Sequence, residues 1–311
     1  MALQAKENPH RMKKLYLLCK NLLCLLEPDE CALLRQKTCL LMCAACGLTL
    51  ARVADSLQSM IPELEEVLST VADCRTVCEH LAAFSGSDFP QSNDKSAVLL
   101  LLYHFEALAK LVSAKRGDNR ADDLDALFDE LHSLPLADAK TFETIAGLAV
   151  EYPAYHAEIC TRGLKVAIGK IEQSLSTMEN KESKNEALKR LSGLYRMLID
   201  TCLKQGSDSD PVNKEESWKH CNEAFLLLSK PDQSFPETEL AWLTTRAWNV
   251  GVKLFVSDHV VEAEHWCAFA LRLLAKLDLY KESYEKRMNN VYQEILEKKD
   301  LMTRKLHKTA V

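Results

Sequence analysis

Residues 245–274 read TRAWNVGVKLFVSDHVVEAEHWCAFALRLL and give the clearest indication of how this chain folds. Gly251 is followed 12 residues later by Ala263, and Ala270 comes 7 residues after that. Apolar residues recur through the stretch at the spacing of helical turns. Because small side chains let helices approach closely, the spacing predicts an antiparallel helix pair that crosses where Gly251 faces Ala263. Ala270 is then expected to admit the next helix.

This spacing of small residues is that of a tetratricopeptide repeat (TPR), a unit of two antiparallel helices. Two positions depart from the TPR pattern, since Ala247 stands where Trp is common and Asp258 where Gly is common. A degraded copy precedes the clear one, with Ser217 and Ala224 at the second-helix spacing, and a fainter copy begins at Ala157. The copies predict an all-α fold, a degenerate TPR-like helical-repeat solenoid. A generic helical bundle remains the alternative.

The amino-acid composition favours helices along the whole chain. The 311 residues include only 9 Gly and 9 Pro, whereas average usage would give about 22 Gly and about 16 Pro. Tight strand turns and phosphate-binding loops need glycine, because only glycine adopts positive φ without strain. Periodicity and breakers predict about twelve antiparallel helices, over residues 9–26, 29–52, 61–84, 94–115, 121–133, 138–151, 154–174, 181–204, 213–229, 237–256, 259–277 and 281–304.

Breakers and composition divide the chain into three predicted segments. Residues 1–84 are expected to form Cys/Leu-rich N-terminal helices, and residues 94–204 degenerate helical repeats. Residues 213–311 are expected to form TPR-like C-terminal repeats closed by a capping helix. Loops are predicted at Gly86, Gly117 and Gly206.

The start of the chain has a leucine-rich stretch after basic residues, but Lys20 and Asn21 interrupt it. Asn8 and Pro9 are instead predicted to be the N-cap and the first residue of a helix. The longest apolar run, Cys39 to Ala51, is too short to span a bilayer. A net charge of −6 argues against a nucleic-acid-binding surface over the whole molecule. We therefore expect a soluble, intracellular protein with no membrane attachment and no direct nucleic-acid binding.

Eight of the twelve cysteines lie in the first 78 residues, within apolar helical runs. Cys39, Cys43 and Cys46 share one helical face, and Cys74 and Cys78 share another. Thiolates on one face can bind zinc or an iron–sulfur cluster. The neighbouring residues are apolar, however, and cysteine also packs as a small hydrophobic side chain. We predict free thiols in a reducing compartment, with no metal and no cofactor; a metal or redox protein that uses these thiols is the competing hypothesis.

Sequence motifs of catalytic sites are lacking: the chain has no H-E-x-x-H, G-x-x-x-x-G-K-[ST], G-x-S-x-G or G-x-G-x-x-G. His259 and His265 are six residues apart and do not share a helix face, and His220-Cys221 stands alone. We therefore predict that the protein is not an enzyme, with no catalytic residues and no small-molecule substrate. A Cys–His pair that folding brings together remains the alternative.

The candidate binding residues are Trp242, Trp248 and Asn249, in the predicted first helix of the clear repeat. First helices of TPR units line the concave groove, and an asparagine amide offers both a donor and an acceptor to a bound peptide backbone. Aromatic side chains supply the buried area typical of binding hot spots. In the alternative interpretation, Trp248 belongs to the core between repeats and Asn249 is a buried packing residue.

Residues 239–295 also resemble a known family. They include ELAWLTTRAWNVGVKLF, then VEAEHWCAFALRLL, then YEKRMNNVYQEI. The stretch is similar to the C-terminal end of meiosis-specific TPR scaffolds that promote crossovers (ZMM-type), the testis-expressed protein eleven-like family. The similarity is densest over the last quarter of the chain, and the upstream Cys/Leu-rich helices agree in character only. Members of this family are much longer, so we expect this chain to be a C-terminal portion, fragment or short isoform.

The resemblance implies a non-enzymatic scaffold in the nucleus, on chromosomes, that joins crossover-promoting factors to synapsis of homologous chromosomes. It also implies that an aromatic–asparagine pair, matched here by Trp248 and Asn249, takes part in partner docking. The expected partners are meiotic crossover and synapsis factors.

A different binding module is the second hypothesis: a cytosolic TPR adaptor that recognises the peptide tails of chaperones or cargo. Carboxylate-binding TPRs need paired Lys and Arg along the groove. Here Arg246 and Lys253 flank the Trp248–Asn249 pair, but the remaining groove positions are not basic.

Overall fold

The computed structural model describes residues 8–85, 95–115, 120–205, 211–228 and 235–309. Within these residues all regular secondary structure is α-helical, as predicted. The described helices are α1 (Pro9–Leu23), α2 (Glu30–Arg52), α3 (Leu57–Ser85), α4 (Lys95–Ala114), α5 (Ala121–Ser133), α6 (Ala139–Leu148), α7 (Ala157–Leu175), α8 (Lys181–Gln205), α9 (Pro211–Leu228), α10 (Glu237–Val256), α11 (Val260–Leu274) and α12 (Lys281–Thr309). The predicted loops at Gly86, Gly117 and Gly206 lie outside the described residues.

Polar side chains begin the first two helices. The Asn8 side chain accepts a hydrogen bond from the backbone N–H of His10 at 3.0 Å, and Pro9 is the first helical residue, which confirms the predicted cap. Asp29 accepts from the backbone N–H of Ala32 at 2.6 Å and begins α2 in the same way. These side chains satisfy N–H groups that have no partner within the helix.

The third helix begins one turn before its predicted start at residue 61. The backbone N–H of Met60 donates to the Ser56 carbonyl at 3.0 Å, and the N–H of Ser59 donates to the Ser56 hydroxyl at 3.3 Å. A first turn therefore forms ahead of Pro62, which lies inside α3. The predicted start at residue 61 therefore missed the turn that Ser56 caps.

The first compact unit, Met1–Lys170, is formed by helices that contact their neighbours along the chain. α1 packs on α2, α2 on α3 and α3 on α4, while α4 also contacts α5 and α6. Gly47 of α2 lies so close to α3 that an added Cβ would stand 2.6 Å from Cγ2 of Val67. The missing side chain therefore allows α2 and α3 to approach, and their apolar faces form the core with α4.

A buried ionic network joins α2 to α4. Glu106 and Lys110 lie one turn apart in α4, each only 2% exposed, and the Lys110 Nζ is 3.0 Å from the Glu106 carboxylate. Arg52 of α2 donates from Nε and Nη2 to the two oxygens of Glu106, at 2.7 and 2.5 Å. Buried charges are tolerated only when they are paired, so the two helices are held by complementary charge as well as by apolar contact.

Two helices of this unit, α2 and α4, are long and apolar enough to cross a membrane by length and composition. Their apolar windows are 56% and 61% buried against other helices of the unit. Buried core helices of proteins that do not enter membranes are often equally long and apolar. The length and composition of α2 and α4 are therefore weak evidence for membrane-spanning helices.

The second compact unit, Ile171–Val311, contains two consecutive helical hairpins followed by α12. α8 packs on α9, α10 on α11 and α11 on α12, and the first helices of the hairpins, α8 and α10, also contact each other. The second helices meet through aromatic rings, because Trp218 of α9 lies edge-to-face 5.0 Å from Trp266 and 5.1 Å from Phe269. The first helices of the two hairpins thus lie side by side, and so do the second helices. This is the stacking expected of helical repeats.

The structure therefore confirms the predicted all-α, helical-repeat fold class. The boundary between the compact units lies inside α7, between Lys170 and Ile171. It differs from the predicted division into 1–84, 94–204 and 213–311, which stays a prediction.

Candidate partner-binding site

The α10–α11 hairpin holds the small residues that the sequence singled out. Gly251 is buried in α10, and an added Cβ would lie 2.5 Å from the Sγ of Cys267 and 3.2 Å from the carbonyl oxygen of Ala263. Ala263 and Ala270 are both fully buried in α11. The two helices therefore approach most closely where Gly251 faces Ala263, and this contact fixes which face of α10 is turned away from α11.

Asp258, which stands where TPR units often have glycine, adopts a left-handed backbone conformation with φ of 66° in the turn between the two helices. Aspartate tolerates this region better than most residues. Its exposed carboxylate is 2.6 Å from the Nζ of Lys298 on α12. The hydrogen bond from Lys298 lowers the pKa of Asp258. Asp258 thus adopts the turn conformation that glycine often provides and also contacts the last helix.

The side of α10 opposite its buried residues carries Trp242, Arg246, Asn249 and Lys253, spaced by four, three and four positions. We call these four residues the α10 outer face, since this spacing places them on one side of a helix. The Asn249 side chain is exposed and Trp242 is half-buried. Trp248 is also half-buried, but it lies about 120° around the helix from Trp242, at the border of the buried face. The structure thus brings Trp242 and Asn249 together and sets Trp248 to one side.

Charged residues of α8 flank the α10 outer face. The Arg196 guanidinium lies 5.1 Å from the centroid of the Trp242 ring and also contacts Glu239 at 3.2 Å. Arg246 forms an ion pair with Asp200 at 2.9 Å. These contacts hold the Trp242 and Arg246 side chains in place, and α8 therefore borders the α10 outer face on one side.

Two buried polar atoms in this region, Nε of Arg246 and Oε2 of Glu239, have no hydrogen-bond partner among the described residues. Buried polar atoms are normally satisfied by protein or by ordered water. The region beside the α10 outer face therefore retains hydrogen-bonding capacity that water or a bound partner can use.

The N-terminal thiols are arranged for packing. Cys43, Cys46, Cys74 and Cys78 are each buried, and none of the twelve cysteines, which lie within the described residues, forms a disulfide. Burial raises the pKa of the Cys43 thiol to about 11. A hydrogen bond with Cys78, together with burial, raises the pKa of Cys74. Neutral, buried thiols of this kind behave as small apolar side chains.

The histidines singled out in the sequence have separate surroundings. His259 and His265 are exposed, at the start and on the outer side of α11. His220 is 4% exposed and lies close to Glu216 and Cys202, a grouping that the sequence analysis missed. The signal within one helix was the four-residue spacing of Glu216 and His220, but the cysteine comes from another helix.

No family model matches this chain. Among solved structures the chain is similar to a protein described as a circular tandem repeat protein with novel repeat topology and enhanced subunit contact surfaces. The match has 16% sequence identity and a TM-score of 0.31, and it covers 97% of this chain and 65% of that protein. The chain thus spans less than two thirds of the length of the protein that it matches.

Proposed function

We propose that this chain is a non-enzymatic scaffold that binds partner proteins through the α10 outer face. The observation that carries the proposal is the exposed amide of Asn249 on the same helical side as the half-buried ring of Trp242. An asparagine amide can pair with both polar groups of a peptide backbone, and a Trp beside an Arg is typical of interface hot spots. Helical-repeat folds commonly present such surfaces to other proteins.

We further propose that the partners act in meiotic crossover formation and synapsis, in the nucleus and on chromosomes. Support comes from the resemblance of residues 239–295 to the meiotic TPR scaffolds, in which Trp248 and Asn249 match the aromatic–asparagine pair. Of this pair, Asn249 lies on the α10 outer face and Trp248 lies to one side of it.

The test is affinity capture from meiotic tissue with the wild-type chain, Trp248→Ala and Asn249→Ala, followed by identification of the bound proteins by mass spectrometry. We expect the wild-type chain to enrich crossover and synapsis proteins and Asn249→Ala to lose most of that enrichment. The melting temperature of Asn249→Ala should stay within about 2 °C of wild type, because exposed substitutions rarely change stability much.

Asn290→Ala is the matched control, since Asn290 is likewise an exposed asparagine within a helix. It should capture the same proteins as the wild-type chain. Equal enrichment by Asn249→Ala and Asn290→Ala would remove Asn249 from the binding site. Enrichment of chaperones or cytosolic cargo in place of meiotic proteins would contradict the meiotic role and favour the adaptor hypothesis.

The adaptor hypothesis is the less favoured one for a structural reason. Arg246, one of its two basic groove residues, is already paired with Asp200 at 2.9 Å. A carboxylate clamp needs cations whose charge is available to the terminal carboxylate of a peptide.

A further inference from the structure

A group of potential metal ligands lies between α8 and α9 in the second unit. Cys202 of α8 and Glu216 and His220 of α9 bring one sulfur, one carboxylate oxygen and one imidazole nitrogen within 4.8 Å of one another. Glu216 and His220 are four residues apart and therefore share one side of α9. Cys202 is fully buried and faces them from the neighbouring helix.

The imidazole of His220 is oriented as a metal-binding histidine would be. Its Nδ1 lies 2.7 Å from Oε2 of Glu223, one turn further along α9. A proton on Nδ1 donated to this carboxylate leaves the lone pair on Nε2. Histidine ligands in metal sites commonly use one ring nitrogen for the metal and donate from the other to a carboxylate, which fixes the tautomer.

The second observation concerns Nε2 itself. His220 is 4% exposed, and its Nε2 is buried without a hydrogen-bond partner among the described residues. This atom points to the same place as the Glu216 carboxylate, whose Oε1 is 3.9 Å away. Buried ring nitrogens without a partner are uncommon in native proteins, and an absent ion is one of the recognised reasons for them.

We propose that Cys202, Glu216 and His220 bind a divalent transition-metal ion, with Zn²⁺ as the preferred ion. One thiolate, one imidazole and one carboxylate form a donor set that suits zinc better than calcium or magnesium, which require oxygen ligands. Metal–ligand distances of about 2.0–2.3 Å place tetrahedral ligands roughly 3.3–3.8 Å apart. Side-chain adjustments of about an ångström would therefore close the present group around an ion.

The geometry leaves one coordination position to water. The Glu216 side chain is about one third exposed, whereas Cys202 and His220 are buried, so the open side of the site lies next to the carboxylate. Bound zinc would link α8 to α9 and release the Cys202 proton, because the thiolate is the form that binds. None of the three proposed ligands belongs to the α10 outer face, so this proposal does not rest on the proposed function.

The test uses the purified full chain, stripped of metal with a chelator and then titrated with Zn²⁺ against a chromophoric competitor, and separately with Co²⁺. We expect one Zn²⁺ per chain and a cobalt spectrum with thiolate-to-metal charge transfer. Cys202→Ser should abolish that charge-transfer band. Glu216→Gln and His220→Gln should each weaken Zn²⁺ binding at least tenfold, and Glu223→Gln should weaken it by about ten- to a hundredfold through the orientation of His220.

Matched controls lie beside the site and on the same unit. Glu215→Gln changes an exposed neighbour of Glu216, and His265→Gln changes an exposed histidine, so both should bind Zn²⁺ like the wild-type chain. Circular dichroism identifies any variant that fails to fold. If Cys202→Ser or His220→Gln does not fold, Glu216→Gln still tests the site, because Glu216 is partly exposed. Absence of stoichiometric Zn²⁺ binding, or binding that persists unchanged in Cys202→Ser, His220→Gln and Glu216→Gln, would overturn the proposal.

Discussion

Gly251 and Gly193 both lie inside helices of the second unit, but their surroundings differ. An added Cβ at Gly251 would meet the Sγ of Cys267 at 2.5 Å and its backbone nitrogen at 3.1 Å, whereas Gly193 has open space within 4 Å. Glycine destabilises a helix interior by about 0.5–1 kcal/mol relative to alanine. At Gly251 this cost is offset by the close approach of α11, and at Gly193 nothing in the described structure offsets it.

We therefore expect opposite effects from the same substitution. Gly193→Ala should stabilise the protein by about 0.5–1 kcal/mol. Gly251→Ala should destabilise it by about 1–3 kcal/mol, because overpacking forces the two helices apart. Urea unfolding followed by circular dichroism measures both. If Gly251→Ala stabilised the protein as much as Gly193→Ala, this would contradict the close packing of α10 against α11 at Gly251.

His104 of α4 is a residue whose protonation opposes folding. Burial lowers the pKa of His104 from 6.5 to about 4, and the positive charge of Arg75 adds to the effect. Its Nδ1 is buried without a hydrogen-bond partner among the described residues. Because the unfolded chain takes up this proton at a higher pH than the folded chain, the contribution of His104 is fully present above pH 6.5 and is lost as the pH falls toward 4.

We expect this loss to amount to roughly 2–3 kcal/mol of unfolding free energy between those two pH values. His104→Gln removes the titrating group, so its unfolding free energy should fall less steeply over the same range. Urea titrations at pH 7, 6, 5 and 4 compare the two proteins. Parallel pH profiles would show that His104 is not the group responsible.

At the scale of elements, the contact between α2 and α4 depends on both shape and charge. The apolar faces of the two helices meet in the core, and Arg52 and Lys110 share the buried carboxylate of Glu106. Periodicity in the sequence indicates which faces are apolar, but it does not reveal that a glutamate and a lysine lie within the buried region of a helix. These two residues are placed by tertiary packing.

Removal of the Glu106 charge should therefore lower the unfolding free energy of the first unit. Glu106→Gln leaves Lys110 buried without its main counter-charge, and we expect the first unit to lose about 3 kcal/mol of unfolding free energy. Glu65→Gln is the control, because Glu65 pairs with Lys115 at the surface, where such pairs contribute at most about 1 kcal/mol. Denaturant unfolding measures both variants, and similar losses in the two would contradict a buried network.

Helix bounds show what local sequence can predict. Asn8, Pro9 and Asp29 form caps that are visible in the sequence, and the helices they begin start where expected, to within a residue. α3 begins earlier than predicted because Ser56 caps a turn ahead of Pro62. Serine and proline compete as start signals there, and only the folded chain shows which one marks the start.

At the scale of the whole molecule, the scarcity of glycine and the repeat around Gly251 were enough to predict an all-α helical-repeat fold. The boundary between the two compact units was not predictable, because it lies within α7, which continues as one helix through Gly169 and across the boundary. The group formed by Cys202, Glu216 and His220 was missed for a related reason. Its members come from two helices, and only the packing of α8 against α9 brings them together.

The candidate binding site was predictable in part. Trp242, Trp248 and Asn249 were chosen from their place in the first helix of the repeat, and the structure places Asn249 at the surface. The grouping of Asn249 with Trp242, and not with Trp248, follows from their spacing along a helix, and the structure adds that this side of α10 lies opposite its buried residues. The contributions of Arg196 and Asp200 come from α8 and could not be inferred from the repeat alone.

The central claim is that partner proteins dock on the α10 outer face, and site-specific photo-crosslinking in meiotic cells tests it most directly. A photoreactive amino acid is placed at position 253, which is exposed on the α10 outer face and leaves Asn249 intact, and at position 290 as the exposed control on α12. We predict that the probe at position 253 crosslinks to crossover or synapsis proteins and that the probe at position 290 does not. Crosslinks to those proteins from position 290 with none from position 253 would contradict the claim.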